Sequence, residues 1–295
     1  INSDGSSVGT HATVHAYANS HGFTGTSKGT RHSISTRVIA QDSAGMQRDY
    51  WYDTSRVFDA MDSPESIGAR AAERAVSRLS SRRVATGTFP VIYSPEVAGG
   101  FFGHFIGAIR GGNLYRKASF LLDSKGEQIF PKGLRIHEQP HLPQASGSCA
   151  FDGEGIATAP RDIVTDGVVQ DYVLNSYAAR RLGLDSTANA GGVHNLTIDT
   201  GDAKQSELVE RMGRGLLVTE LMGSGVNSVT GDYSRGAAGY WVENGETAFP
   251  VHEITIAGNL KDMFMGIQDI GGDVDTRGNI RTGSILINAV TIAGD

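Results

Sequence analysis

The five residues from His137 to His141, HEQPH, have the spacing of a zinc-binding motif. In zinc sites of the His-Glu-x-x-His type, both histidines project from one face of a helix and bind the same ion. Pro140 lies inside the motif and lacks the backbone N–H that a helix needs, and Pro143 follows closely. No apolar period surrounds the motif. We therefore predict a loop over residues 131–147 and a coincidental match.

Cys149 is the only cysteine of the chain, so a disulfide framework is excluded and a reducing compartment is compatible with the sequence. A thiol becomes a nucleophile beside a helix N-terminus or a basic side chain. Neither is assigned beside Cys149 from the sequence. The favoured interpretation is a small buried thiol, with a nucleophile as the alternative.

Four histidines crowd the N-terminal region: His11, His15, His21 and His32. On a strand, His11 and His15 share a face but lie about 13 Å apart, which is too far for one small ion. We predict solvated or hydrogen-bonded surface histidines rather than metal ligands.

Another histidine, His104, lies on a segment with strong helix signals. Ser94, Pro95 and Glu96 supply an N-cap, a first-turn proline and an acidic first turn. Two sets of apolar residues then recur at a spacing of four, and Gly111-Gly112 is expected to end the helix. This pattern predicts a helix over 95–110 that is buried over most of its circumference and follows a strand at 89–93.

The N-terminal part reads as an antiparallel meander. Alternation predicts strands at 8–17, 34–40 and 48–53, with a polar connection over 21–33. A Ser-Pro-Glu cap and one apolar, alanine-rich stripe predict a helix over 64–82 that packs closely on the sheet. Trp51 is expected to anchor the core. We assign residues 1–85 to this first domain.

Charge falls away near residues 84–87, and residues 86–295 are assigned to a second, larger domain. Asp166-Gly167 and Asn244-Gly245 are strong hairpin signals. The fold class is therefore α+β: a small N-terminal antiparallel meander with one helix, then a larger mainly antiparallel β domain around the buried helix. The remaining expected elements are a strand and turn at 118–127, a hairpin at 162–173, helices at 175–184 and 206–212, a strand at 191–198 and two final strands.

The composition limits the classes of partner. The chain has 295 residues, with 26 Lys and Arg against 32 Asp and Glu, and a formal net charge of −6. This balance argues against direct binding of nucleic acid, which favours a basic face. No apolar run is long enough to cross a bilayer, and no signal-peptide pattern is present, so no membrane contact is expected.

The segment 94–112 resembles the core helix of the TldD/PmbA family of zinc peptidases. Active members carry His-Glu-x-x-x-His in the setting Leu-Leu-His-Glu-Ala-Val-Gly-His. Here Phe101-Phe102 match the two leucines and Gly107 matches the glycine. The three chemical positions become Gly103, His104 and Ala108, so both metal-binding histidines and the general-base glutamate are replaced. The resemblance thus implies that the helix is kept while its chemistry is lost.

Residues 226–246, VNSVTGDYSRGAAGYWVENGE, resemble the PmbA branch, also called TldE. Active members supply a third zinc ligand, a cysteine, ahead of the final strand. Asp269, Asp273 and Asp275 occupy that region here, so this ligand is missing too. The chain begins at Ile1 without a methionine, and family members have a further N-terminal domain, so we expect a piece of a longer protein.

The resemblance implies a metal-less subunit of a heteromeric zinc peptidase. This chain is expected to bind no metal or other cofactor, while a TldD-like homologous subunit, in a heterodimer by family analogy, holds the zinc. Family members act on unfolded or short peptides, including precursors of peptide antibiotics, in the bacterial cytoplasm. The alternative is a stand-alone protein that binds extended peptides or a regulator without hydrolysis, to which the family's association with DNA gyrase belongs.

Residues 230–236, TGDYSRG, form a glycine-flanked segment with hydrogen-bond donors and an aromatic ring. We predict a loop there, with Asp232, Tyr233 and Arg235 as contacts for an extended peptide or for the partner. The alternative, to which we give equal weight, is that this segment is a structural turn near the partner.

Overall fold

The computed structural model describes residues 1–43 and 45–294, and it begins with an antiparallel sheet. Its strands pair in chain order: β1 (Asn2–Ala18), β2 (Thr24–Asp42) and β3 (Gly45–Ser55). The helix α1 (Pro64–Ser77) packs on this sheet through Ile67, Ala71 and Ala75. Trp51 is buried in the same cluster, as predicted. The small alanines let the helix lie close to the sheet.

The first two strands are longer than the sequence predicted, and the expected polar connection over 21–33 is wrong. The chain turns at 19–23 and continues directly into β2, which pairs with β1 along its length. Hydroxyl pairs across the strands, such as Ser6–Thr36 at 2.7 Å, support a ribbon that is exposed on both faces. Residues 2–33 of this ribbon include no buried side chain, so hydrophobic alternation does not mark them. The helix α1 also ends earlier than expected, and Ser80 beyond it takes a left-handed φ of 56°.

The second region is built on a sheet of six strands in the order β11-β10-β9-β4-β14-β12. A further pairing between β11 and β14 closes five of these strands into a barrel. The strands are β4 (Gly87–Tyr93), β9 (Gly215–Met222), β10 (Asp232–Glu243), β11 (Glu246–Asn259), β12 (Ile267–Ile270) and β14 (Ile285–Ala293).

A third sheet has the order β13-β8-β5-β6-β7. Its strands are short: β5 (Ile136–Glu138), β6 (Arg161–Thr165), β7 (Val168–Val169), β8 (Leu196–Ile198) and β13 (Ile280–Arg281). The hairpin between β6 and β7 turns at Asp166-Gly167, as predicted, because both residues take a positive φ. The expected strand over 191–198 is limited to β8.

The helix α2 (Pro95–Ala108) follows β4 and lies in the largest hydrophobic cluster. Its Phe101, Phe102 and Phe105 pack against the aromatic rings of Tyr93, Phe130 and Phe264. The other helices are α3 (Gly111–Tyr115), α4 (Ser176–Leu182), α5 (Gln205–Met212) and α6 (Leu260–Met265). The predicted α+β class, with a larger β domain around this helix, is confirmed.

Two local predictions around α2 are wrong. The helix α2 already ends at Ala108, and the glycine pair at 111–112, predicted to terminate it, instead begins α3. Residues 118–123 form turns instead of a strand, because Phe120 and Leu121 anchor the turn in the core and Phe120 N–H donates to the Ser228 carbonyl. Among the described helices, none is both long and apolar enough to cross a membrane.

Candidate functional site

One face of α2 is not covered by the core. We call the stripe of Gly100, Gly103, His104 and Gly107 the open face. A side chain added at Gly100 or Gly107 would meet no described atom within 4 Å, and one at Gly103 would lie 3.8 Å from Ile280 Cδ1. The sequence predicted burial over most of the circumference. Glycines are too small to fill the space between the helix and its neighbours, so this part of the surface stays accessible.

The residues at the family's metal positions do not fit a zinc ion. Gly103 and Ala108 carry no donor atom, and Ala108 is buried with 2% of its surface exposed. The His104 ring is half-buried and lies edge-on to the Tyr233 ring, with 5.8 Å between centroids. Burial, together with the Arg235 guanidinium, lowers the pKa of His104 below its usual 6.5. His104 is thus the only one of the three positions with a donor atom, and a single imidazole does not make a zinc site.

The aspartates in the region of the third ligand are engaged elsewhere. Asp269 pairs with Arg211 at 2.5 Å, Asp273 accepts a hydrogen bond from the Ser284 hydroxyl at 2.7 Å, and Asp275 pairs with Arg277 at 2.9 Å. Within residues 1–43 and 45–294, no group of three or more His, Cys, Asp or Glu side chains is arranged to hold a metal ion.

The three predicted contact residues lie on a strand, so the loop interpretation of residues 232–236 is wrong. The chain leaves the turn at Gly231, with a φ of 82°, and Asp232 begins β10. Strand alternation then separates the side chains. Tyr233 is buried with 2% exposure, whereas Asp232 is exposed and accepts a hydrogen bond from Thr230 at 2.6 Å. Arg235 is half-buried and is the one that reaches a cleft.

This cleft has a volume of about 300 Å³ and lies between the N-terminal sheet and the open face. β3 contributes Trp51 and Tyr52, α2 contributes Glu96 and Gly100, and Arg235 lines it from the barrel. The tertiary structure thus brings Arg235 near the degenerate metal position on α2. We call this space the Arg235 cleft.

The HEQPH motif lies on β5 and the turn after it, so the predicted loop over 131–147 is wrong at Ile136–Glu138. His137 is buried on β5, with its Nδ1 3.4 Å from Asp199, and its pKa is lowered by burial and by Arg135. His141 is exposed and its Nε2 lies 3.2 Å from the Thr158 hydroxyl. Glu138 is buried and pairs with Arg161 at 2.7 Å. Each residue of the motif therefore has a separate structural environment.

A histidine that the sequence did not indicate lies beside Cys149. The sulfur is 3.2 Å from Nδ1 of His194, and Nε2 of the same ring is 2.9 Å from the Ala188 carbonyl. Burial opposes the charged ring, but these two hydrogen bonds outweigh it and raise the pKa of His194 to about 9. Cys149 is half-buried, not buried as predicted. No short-range spacing could have revealed the pair, since 45 residues separate the two positions.

Two family models match the chain. Residues 86–294 match the PmbA/TldA metallopeptidase C-terminal domain, and residues 1–79 match the central domain of the same family. The chain belongs to the PmbA/TldA metallopeptidase family. This finding confirms the resemblance that the helix at 95–110 and the segment at 226–246 indicated.

Individual relatives of the family agree. The chain is 51% identical over 293 residues to metalloprotease PmbA of Escherichia coli O157:H7, covering 99% of the chain and 65% of that relative. It is 45% identical over 295 residues to a metalloprotease PmbA homologue of Buchnera aphidicola from Acyrthosiphon pisum, covering 100% of the chain and 66% of that relative. The chain therefore spans about two thirds of the length of these metalloproteases.

Among solved structures, a protein of Bacteroides thetaiotaomicron described as a candidate modulator of DNA gyrase superposes with a TM-score of 0.94 at 32% identity. The match covers 98% of this chain and 66% of the other. TldE from Thermococcus kodakarensis superposes with a TM-score of 0.87 at 22% identity, over 98% of this chain and 69% of the other, which shows the shared fold.

Proposed function

We propose that this chain is the metal-less subunit of a TldD/PmbA-type zinc metalloprotease complex. The observation that carries the proposal is the state of α2. Its core face keeps three phenylalanines in aromatic contact, while Gly103 and Ala108 stand at the family's metal positions and His104 at the general-base position. A helix that keeps its packing after losing its chemistry still supports the shape of an assembly.

In this proposal a TldD-like homologous subunit holds the zinc and performs hydrolysis in a heteromer, most simply a heterodimer. The complex acts on unfolded or short peptides, including the maturation of peptide-antibiotic precursors, in the bacterial cytoplasm. These features of the whole protein come from the family resemblance.

The Arg235 cleft supports the handling of extended peptides. β3 is hydrogen bonded to β2 along one edge, and the described residues place no strand on its other edge. An unpaired strand edge offers backbone donors and acceptors to an extended chain. Trp51 and Tyr52 of β3 line the cleft. An extended peptide can therefore reach both this strand and the open face of α2.

A second function is a stand-alone protein that binds peptides or a regulator without hydrolysis. The Arg235 cleft supports this second function equally, because the cleft is formed by residues of this chain alone. The description of the Bacteroides protein as a candidate gyrase modulator also belongs to this alternative. The net charge of −6 gives no support to direct contact with DNA.

The deciding experiment mixes the purified chain with a homologue that carries the intact His-Glu-x-x-x-His helix. We expect co-purification, zinc in the homologue alone, and peptide cleavage that rises when this chain is added. Stoichiometric zinc in this chain would contradict the proposal. Equal cleavage with and without this chain would leave the stand-alone binder as the better function.

Surface variants then locate the contact. Arg235→Ala and Asp232→Ala should weaken activation of the homologue more than they lower the melting temperature, because Asp232 is exposed and Arg235 lines the Arg235 cleft rather than the core. Tyr233→Ala is unsuitable for this purpose, since the buried ring supports the core. Asp59→Ala, on the exposed 3-10 turn Phe58–Ala60, is the matched control.

A further inference from the structure

Arg235 has no counter-charge within the described part of the chain. Its Nε is buried and makes no hydrogen bond, and no carboxylate lies within 4 Å of its guanidinium there. Three other half-buried arginines of the neighbourhood have carboxylate partners. Arg74 and Arg78 each lie 3.3 Å from Asp49, and Arg277 lies 2.9 Å from Asp275. Arg235 is therefore an exception among the half-buried arginines around this cleft.

The side chains nearest Arg235 cannot neutralise it. Burial, reinforced by the neighbouring Tyr233, raises the pKa of Tyr93 well above its usual 10.0, and burial also raises the pKa of Tyr233. Both phenols are thus neutral, and neither hydroxyl makes a hydrogen bond within the described residues. His104 is not an anion in any state.

The acidic residues of the cleft do not reach Arg235 either. Glu220 is held by Arg78 at 2.5 Å, and Glu96 forms no ion pair within 4 Å in the described chain. An uncompensated, partly desolvated guanidinium is costly to fold, because it has lost water contacts without gaining a partner. Proteins tolerate that cost where a ligand supplies the missing partner.

The cleft has room for such a ligand. Its volume is about 300 Å³, and Gly100 on the opposite wall leaves the helix backbone uncovered. A guanidinium binds a planar carboxylate through two parallel N–H donors, which favours this group over a neutral amide. Trp51 and Tyr52 supply apolar surface for the atoms that follow the carboxylate.

We propose that the Arg235 cleft is a carboxylate-binding subsite that receives an acidic group of a peptide, either its C-terminal carboxylate or an aspartate or glutamate side chain. This inference rests on the proposed role in peptide handling. It names the feature of the peptide that the metal-less chain recognises.

The test is calorimetric titration of the full chain with three probes. These are N-acetyl-trialanine, its C-terminal amide, and the N-acetyl-Ala-Glu-Ala amide. A probe with a carboxylate should bind about 10- to 100-fold more tightly than trialanine amide, because a charge-assisted pair contributes about 1.5–3 kcal/mol. Preference for the first probe identifies the C-terminus, and preference for the third identifies an acidic side chain.

Arg235→Gln should abolish this difference between the acidic and neutral probes. Arg235→Lys should restore only part of it, since it keeps the charge but loses the fork. Arg83→Gln is the matched control, because Arg83 is exposed and pairs with the exposed Glu253. Thermal melts of each variant exclude misfolding as the cause.

Two results would overturn the subsite: equal binding of the acidic and neutral probes, including no binding of any, or unchanged discrimination in Arg235→Gln. The test is independent of the partner. If the chain binds carboxylates through Arg235 but does not activate the homologue, the subunit role fails and the subsite stands. If it activates the homologue without Arg235-dependent discrimination, only the subsite fails.

Discussion

Two polar clusters of this protein differ in how completely their hydrogen bonds are met. In the cluster around the buried Glu138 carboxylate, which we call the Glu138 network, the carboxylate has three hydrogen-bond donors within the chain. The carboxylate accepts from Arg161 at 2.7 Å, from Asn189 at 2.9 Å and from the backbone of His194 at 2.8 Å. Around Arg235, the hydroxyls of Tyr93 and Tyr233 and the guanidinium Nε have none in the described residues.

This difference distinguishes structural polar groups from functional ones. The Glu138 network ties together β5, β6 and the segment before β8, and its closed set of bonds leaves nothing to offer a ligand. The Arg235 cleft keeps a guanidinium donor that no described residue meets. The motif that looked most like chemistry in the sequence, HEQPH, supplies the structural cluster. The helix α2, which carries the altered family motif, lines the Arg235 cleft.

The largest expected effect is in the Glu138 network. Glu138→Gln removes the buried charge that meets three donors and leaves the half-buried Arg161 with only its pair to Asp171, and we expect the free energy of unfolding to fall by about 3–5 kcal/mol. Urea titration followed by circular dichroism measures this loss. The exposed Glu253→Gln, which breaks the pair with Arg83, should change stability little. A loss below about 1 kcal/mol in Glu138→Gln would show that the network is not structural.

Tyr233 separates core packing from hydrogen bonding. Tyr233→Ala removes a buried ring and should cost about 3–5 kcal/mol of unfolding free energy. Tyr233→Phe keeps the ring and deletes a hydroxyl without a partner among the described residues, so stability should change by less than about 1 kcal/mol. Chemical denaturation of both variants provides the measurement. A Tyr233→Phe loss as large as that of Tyr233→Ala would mean that the hydroxyl is bonded.

His104 and His194 should make the stability of the fold depend on pH in opposite directions. The pKa of His104 is lowered in the folded state, so its contribution to stability is lost as the pH falls below about 6.5. The pKa of His194 is raised to about 9, so its contribution is present below about 6.5 and lost as the pH rises through 9.

Urea unfolding between pH 5 and pH 10 measures both slopes. His104→Gln should flatten the acidic limb only, and Cys149→Ser, which weakens the contact with His194, should flatten the alkaline limb. Either variant flattening the opposite limb would contradict these assignments.

The smallest expected effect concerns restoration of the family motif. The triple variant Gly103→His, His104→Glu and Ala108→His should show no chelator-sensitive peptide cleavage, because the third ligand is still missing and Ala108 is buried. Zinc content and cleavage of a fluorogenic peptide are the readouts, with the single variant Gly103→His as control. Cleavage in the triple variant, but not in the control, would show that these three positions are sufficient to restore peptidase activity.

Much of the fold follows from local signals. The cap at Ser63, the helix after Ser94 and the hairpins at 166–167 and 244–245 all agree with the structure. Predictions failed where long-range pairing decided the conformation. The polar strand β2 forms because β1 lies beside it, and residues 232–236 are extended because β9 and β11 flank them.

By itself, the sequence determined the family, the α+β class and the absence of a donor atom at Gly103 and Ala108, because glycine and alanine side chains carry none in any fold. Only the tertiary structure decided which polar residues are satisfied. Glu138 and Asn189 are 51 positions apart, and the bond between them exists only after the chain has folded. Arg235 is left without a counter-charge for the same reason, since the electrostatics of a side chain depend on atoms that distant segments bring near it.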